Sequence, residues 1–142
     1  MTAVSAALTS TTRSQEPTGF LNRTIEVEGV SHRYQVYVPA EYTRARRWPV
    51  ILFLHGSGER GFDGILQTSI GLGEAIRRHA ERWPAIVVFP QAPLDHRWHG
   101  KVAHLALATL DRTVREFSTD PDRVYLVGLS AGGNGVWNLA YR

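Results

Sequence analysis

Apolar residues follow two rhythms along the chain. Between Phe20 and Val38 they alternate with polar ones, at Ile25 and Val27 and again at Tyr34, Val36 and Val38, on either side of Gly29. Period-two alternation around a glycine predicts an antiparallel hairpin, which Pro39 ends. Val50 to Leu54, Ala85 to Phe89 and Val124 to Val127 are instead continuous apolar runs, the pattern of strands buried on both faces. Elsewhere the spacing changes to three and four residues: Val102, Leu105, Ala106, Thr109, Leu110, Val114 and Phe117 predict an amphipathic helix over 102–117. A shorter helix is expected from Ile70 to Ala80, ended near Trp83-Pro84. Asp120-Pro121-Asp122 punctuates the chain before the third run, and the small residues from Gly128 to Gly133 lead into the helix that includes Val136 to Tyr141. Hairpin, strand, helix, strand, helix, strand, turn, helix is the order of an α/β fold. It implies a mostly parallel sheet with right-handed crossovers and helices on both faces, preceded by an antiparallel hairpin.

With 142 residues the sequence has room for one domain. Residues 1–19 are small and Ser/Thr-rich, with neither a basic segment nor a long apolar one, so they read as a disordered leader to a domain over 20–142. The missing secretory pattern makes the expected location cytoplasmic. Apolar content of 43% with 20% charged residues excludes disorder over most of the length. No apolar run approaches the roughly 20 residues a membrane helix needs, and no membrane partner is expected.

Sixteen basic and thirteen acidic side chains leave a charge of +3, with Lys101 the only lysine. Arg44, Arg46 and Arg47, and Arg77, Arg78 and Arg82, form two small clusters that read as solvated basic faces. No helix-turn-helix, zinc or aromatic RNA motif accompanies them, so no nucleic-acid partner is expected. The sequence has no cysteine, which excludes disulfides, thiol nucleophiles and cysteine-bound metals.

The chemistry concentrates after the third apolar run. Gly128-Leu129-Ser130-Ala131-Gly132 is a G-x-S-x-G on a strand-to-helix turn. A serine hydroxyl attacks well only when the backbone projects it toward a base, and a sharp, strained turn does this. Such a turn crowds the positions two before and two after the serine, where Gly128 and Gly132 stand. The helix starting at Ala131 aims backbone N–H groups at charge developing beside Ser130. A plain connecting turn with Ser130 as a helix N-cap is the alternative.

The stretch "VILFLHGSGERG", Val50 to Gly61, also spells the G-x-G-x-x-G of a dinucleotide-binding turn. That turn needs a helix starting within the glycines and an acidic residue after the next strand. Gly64 interrupts such a helix, and the strand Ala85 to Phe89 ends in Pro90-Gln91. "HGSG" instead occupies the place of the loop that gives an elbow serine its second oxyanion donor. The backbone N–H groups of Ser57 and Ala131 are the expected pair, with Gly56 and Gly58 letting the backbone turn inward.

Together "YQVYVPAEY", "VILFLHGSGERG", "VVFPQAP" and "RVYLVGLSAGGNGVWNLA" make Arg33 to Arg142 resemble the N-terminal half of an α/β-hydrolase. The likeness is to the phospholipase/carboxylesterase-like and "predicted peptidase" serine esterases related to dienelactone hydrolases. It implies hydrolysis of small-molecule carboxylic esters through an acyl-enzyme on Ser130, without a metal or organic cofactor. A serine peptidase, a lipid-ester hydrolase of the same fold and a non-catalytic α/β interaction module are the rival readings.

In this fold the order is Ser, then Asp or Glu, then His. Beyond Ser130 the sequence holds none of these; His32, His55, His79, His96, His99 and His104 all precede it. The resemblance gives His55, at the end of the strand beside the oxyanion loop, a packing or loop-fixing role rather than that of base. His96, His99 and His104 with Asp95 match no zinc spacing and read as solvated, and Trp98 is expected to pack near the site. The base and its acid are therefore expected past residue 142. A domain truncated after the elbow would leave the strand Val124 to Val127 at an exposed sheet edge, through which association is expected, and the 142-residue chain alone is expected to be weakly active or inactive.

Overall fold

A computed structural model describes residues 2–8 and 15–141; Met1, residues 9–14 of the expected leader and Arg142 lie outside the described residues. Strands β1 (Gly19–Val27) and β2 (Val30–Val38) form the expected hairpin. Val27 pairs with Val30, so Glu28 and Gly29 make a two-residue turn, both at positive φ, 51° and 78°. Two consecutive residues of that kind give the type I′ geometry that matches strand twist.

β3 (Trp48–Leu54), β4 (Ile86–Phe89) and β5 (Thr119–Gly128) follow, and the five strands lie side by side in the order β1-β2-β4-β3-β5. β4, β3 and β5 are mutually parallel, while β4 receives the hairpin antiparallel through β2. Parallel neighbours need crossovers, and helices supply them. α1 (Leu72–Arg78) lies between β3 and β4, α2 (Gly100–Glu116) between β4 and β5, and α3 (Ala131–Ala140) follows β5.

Alternate residues of each inner strand feed different cores. Val50, Leu52, Leu54, Ile86 and Val88 join Val102, Ala103 and Ala106 of α2 and Leu139 of α3. Phe53, Val87 and Phe89 join Leu72 and Ile76 of α1 on the opposite face. Both faces of β3 and β4 are covered, which is why their sequences show no polar alternation.

Three expectations need adjustment. Val124 to Val127 is not a buried run: Val124, Tyr125 and Val127 are 43%, 51% and 42% exposed. β5 pairs only with β3 among the described residues, so its residues lack cover along one side while Leu126 packs on the core. β5 also starts earlier than expected, and its ladder with β3 shifts register between Trp48 and Val50, where Pro49 has no N–H to offer. The arginine clusters are exposed, as expected, but several of their side chains also make contacts. Arg77 donates to the Thr68 carbonyl and hydroxyl and stacks over Phe20, while Arg46 lies 4.1 Å over the Trp48 ring and Arg44 pairs with Glu16. Among the described residues no helix is long and apolar enough to cross a membrane.

Leu52 is 1% exposed at the centre of the sheet. Leu52→Ala is expected to cost about 2–5 kcal/mol by removing buried methyl groups and leaving a cavity. Urea unfolding should show a lower midpoint at unchanged slope.

Candidate active site

The parallel strands β3 and β5 end together, with Leu54 opposite Gly128, and the chain turns sharply there into α3. Ser130 stands at the turn with φ 54° and ψ −115°, a left-handed region that a side chain occupies only under strain. It holds the N-cap position of α3, yet its hydroxyl makes no cap hydrogen bond, and the residue is exposed. The N-cap alternative therefore lacks the bond that defines it.

Both flanking glycines are sterically required. A Cβ on Gly128 would fall 2.2 Å from the Gly132 carbonyl oxygen, and one on Gly132 would fall 1.8 Å from the Leu54 carbonyl oxygen. Leu129 N–H donates to that same Leu54 oxygen at 3.1 Å, tying the turn to the end of β3. Gly135 is confined likewise: a Cβ there would lie 2.5 Å from Cβ of Trp98.

The segment after β3 forms the opposite wall. Gly56 approaches the turn so closely that a Cβ on it would lie 3.6 Å from Cβ of Ser130. Ser57–Glu59 makes one 3-10 turn, and Gly61 N–H donates to the Ala92 carbonyl at 3.0 Å. His55, 1% exposed, organises this wall. Its Nδ1 lies 2.6 Å from the Gly56 carbonyl oxygen and its Nε2 accepts the Ala92 N–H at 2.9 Å. Those two bonds require the neutral ring with the proton on Nδ1. Trp98 closes the arrangement, donating its indole N–H to the His55 carbonyl at 2.9 Å and meeting the His55 ring edge-on. Burial pushes the His55 pKa down; the bond to Gly56 opposes this, and the Arg60 cation lowers it further. Both ring nitrogens are committed, so His55 fixes the loop, as expected, and offers Ser130 no base.

Glutamines that the sequence reading passed over brace the same loop. Gln91 donates to the Glu59 carbonyl and to Asp63 Oδ1 and accepts Gly64 N–H at 2.6 Å, and Gln67 donates to the carbonyls of Gly64 and Phe89. Asp63 accepts the N–H groups of Ile65 and Leu66, which hold its carboxyl below the usual range. Gln91 thus stands where a dinucleotide turn would place its acid, and it serves loop geometry.

Between the two walls lies a cavity of about 790 Å³ lined by Ser57, Ser130 and Ala131 together with Arg60, Arg97, Trp98, His99 and residues of α3. The three residues expected from the sequence are thus brought to one surface. Arg60, Arg97, His99, Asn134 and Trp137 were not foreseen there, because only chain folding joins the loop after β4 to α3. His96 turns its Nδ1 to the Leu94 carbonyl, and His104 is exposed on α2. Among the described residues no three His, Asp or Glu side chains converge where they could share a metal ion.

The chain matches the family model described as "Putative esterase" over residues 28–142. It is similar to a solved thermostable esterase, with 31% sequence identity and a TM-score of 0.75 over 84% of this chain and 36% of that one. Thermogutta terrifontis esterase 2 phosphorylated by paraoxon is similar at 22% identity and a TM-score of 0.59, over 83% of this chain and 46% of that one. The ferulic acid esterase of Anaeromyces mucronatus is similar at 16% identity and a TM-score of 0.52, over 86% and 54%. At these last two identities the likeness is one of fold. Comparison with curated proteins finds no match. The chain spans between 36% and 54% of the length of these three solved proteins.

Two outcomes are expected from the geometry. Gly132→Ala should destabilise the protein by more than about 3 kcal/mol or prevent folding, since backbone cannot yield at 1.8 Å. Gly133→Ala, whose Cβ would lie 3.8 Å from the Gly128 carbonyl oxygen, should be neutral or stabilising by up to about 1 kcal/mol; thermal melts of the pair check both. For His55, the unfolded ring takes a proton near its ordinary value of 6.5 while the folded ring resists it. Its contribution to stability is therefore complete above about pH 6.5 and is lost as pH falls toward the lowered folded value. The melting temperature should drop between about pH 7 and about pH 5.5, less steeply in His55→Gln; equal slopes would reject the neutral lock. His32, shifted down by its own partial burial, supplies a slope that the variant keeps.

Proposed function

Because this chain belongs to the esterase family of the α/β-hydrolase superfamily, whose model it matches over residues 28–142, we propose that it hydrolyses carboxylic esters with Ser130 as nucleophile. The observation that carries the reading is the strained Ser130, free of any cap bond and exposed on a cavity that Ser57 and Ala131 also line. Ser130 Oγ attacks the ester carbonyl carbon and gives up its proton to water, the acceptor left when both His55 nitrogens are engaged. The carbonyl oxygen takes the negative charge between the N–H groups of Ser57 and Ala131. Collapse expels the alcohol and leaves an acyl group on Ser130, which water removes in a second attack that regenerates the hydroxyl.

The substrate class is small carboxylic esters, and residues 20–142 form the part of the domain that carries the nucleophile, after a leader over 1–19. Slow turnover by residues 1–142 alone is part of the proposal: the two nitrogens of His55 are bound to Gly56 and Ala92. Loss of triad members costs about 10³-fold or more in serine hydrolases.

Paraoxon, the reagent that phosphorylates the Thermogutta esterase, provides the test. Prolonged incubation with excess reagent should place one diethylphosphoryl group on Ser130, slowly because both His55 nitrogens are engaged, seen by peptide mass spectrometry, with release of p-nitrophenolate. Ser130→Ala should acquire none. Labelling at another residue, or unchanged labelling of the variant, would sink the assignment of the nucleophile.

A further inference from the structure

The wall of the Ser130 cavity is charged in one sense. Arg60 and Arg97 both line it, and among the described residues no Asp or Glu does. The two arginines come from different loops, after β3 and after β4, and line one cavity only in the folded chain.

Arg60 is held in place. Its Nε donates to the Ser57 carbonyl at 3.0 Å and its Nη1 to the His96 carbonyl at 3.4 Å. Both acceptors are neutral carbonyls and leave the charge of the guanidinium uncompensated. Nη2 makes no hydrogen bond among the described residues and remains a donor for a ligand. Arg97 is exposed and makes no salt bridge among the described residues, even to Asp95 two positions before it. Glu59, in the loop of Arg60, is 6% exposed and does not line the cavity, although its Oε2 lies 3.4 Å from the point where a Gly56 Cβ would stand, itself 3.6 Å from Ser130 Cβ. The rest of the surface suits an elongated organic molecule: Asn134 and Asn138 offer amides, and the 66%-exposed Trp137 offers an indole face.

Resting on the nucleophile reading above, we infer that the Ser130 site takes esters bearing a second, free carboxylate, which Arg60 and Arg97 bind while the ester group lies at Ser130. A planar guanidinium matches a carboxylate in shape and charge, and two of them beside an uncharged wall favour an anionic ester over its neutral isostere. Part of this attraction comes from exposed charge and weakens with salt.

Monoethyl succinate and ethyl butyrate form the test pair, alike in length and differing in a carboxylate for a methyl group. Binding is measured on the Ser130→Ala protein, which cannot turn either over, by titration calorimetry. Monoethyl succinate should bind about tenfold more tightly or better, which corresponds to about 1.4 kcal/mol. Added Arg97→Gln should collapse that ratio several-fold, Arg97→Lys should restore part of it, and about 0.5 M salt should compress it. Equal affinities for the two esters, or a ratio untouched by Arg97→Gln, overturn the inference. Paraoxon labelling of the Ser130 protein is read alongside. Selective binding without any labelling of Ser130, even after prolonged incubation with excess paraoxon, keeps the carboxylate site and rejects the nucleophile; labelling with equal affinities does the reverse.

Discussion

Gly132 lies so close to the end of β3 that one added carbon would fall 1.8 Å from the Leu54 carbonyl oxygen, and the surroundings of Ser130 follow from that contact. Helix α3 can start against the sheet only because backbone meets backbone there, with Gly128 clearing the other side. The Leu129 bond to Leu54 then leaves Ser130 the whole reversal of direction, at a positive φ costing of order 1–3 kcal/mol. Packing of α3 and β5 on β3 offsets that strain. In return the hydroxyl is presented away from the helix that follows it.

The second wall depends on the same strand end. His55 continues β3 and is locked as a neutral ring between the Gly56 carbonyl and the Ala92 N–H. Protonation would set an Nε2–H donor against the Ala92 N–H donor, in a place with almost no water to relieve it. The imidazole thus joins the loop after β3 to the loop after β4, and Trp98 adds a bond to the His55 carbonyl. Through these few bonds the backbone segments that bear Ser57, Arg60 and Arg97 acquire fixed places relative to Ser130. The histidine works as a neutral strut, and the arginines supply the charge of the cavity.

Much of the architecture was legible in the sequence because burial on two faces leaves a one-dimensional trace. The runs Val50 to Leu54 and Ala85 to Phe89 became β3 and β4, the three-and-four spacing became α2, and alternation around Gly29 became the hairpin. Val124 to Val127 had the same trace yet is largely exposed, since composition records what a strand can bury and not which neighbours cover it. The strained turn at Ser130 was legible for a different reason. Gly128, Ser130 and Gly132 lie within five residues, so their steric demands are local.

The sequence by itself determined the strand and helix order, the position of the turn bearing Ser130 and the need for glycine at 128 and 132, all consequences of neighbours a few bonds apart. Only the tertiary structure decided that Gln91 and Gln67 brace a loop, that both His55 nitrogens are engaged, and that Arg60, Arg97 and Trp137 share one cavity with Ser57, Ser130 and Ala131. Those contacts join residues up to 80 positions apart, from Ser57 to Trp137. No spacing rule reaches so far, because a parallel sheet sets distant loops beside one another only once its crossovers have closed.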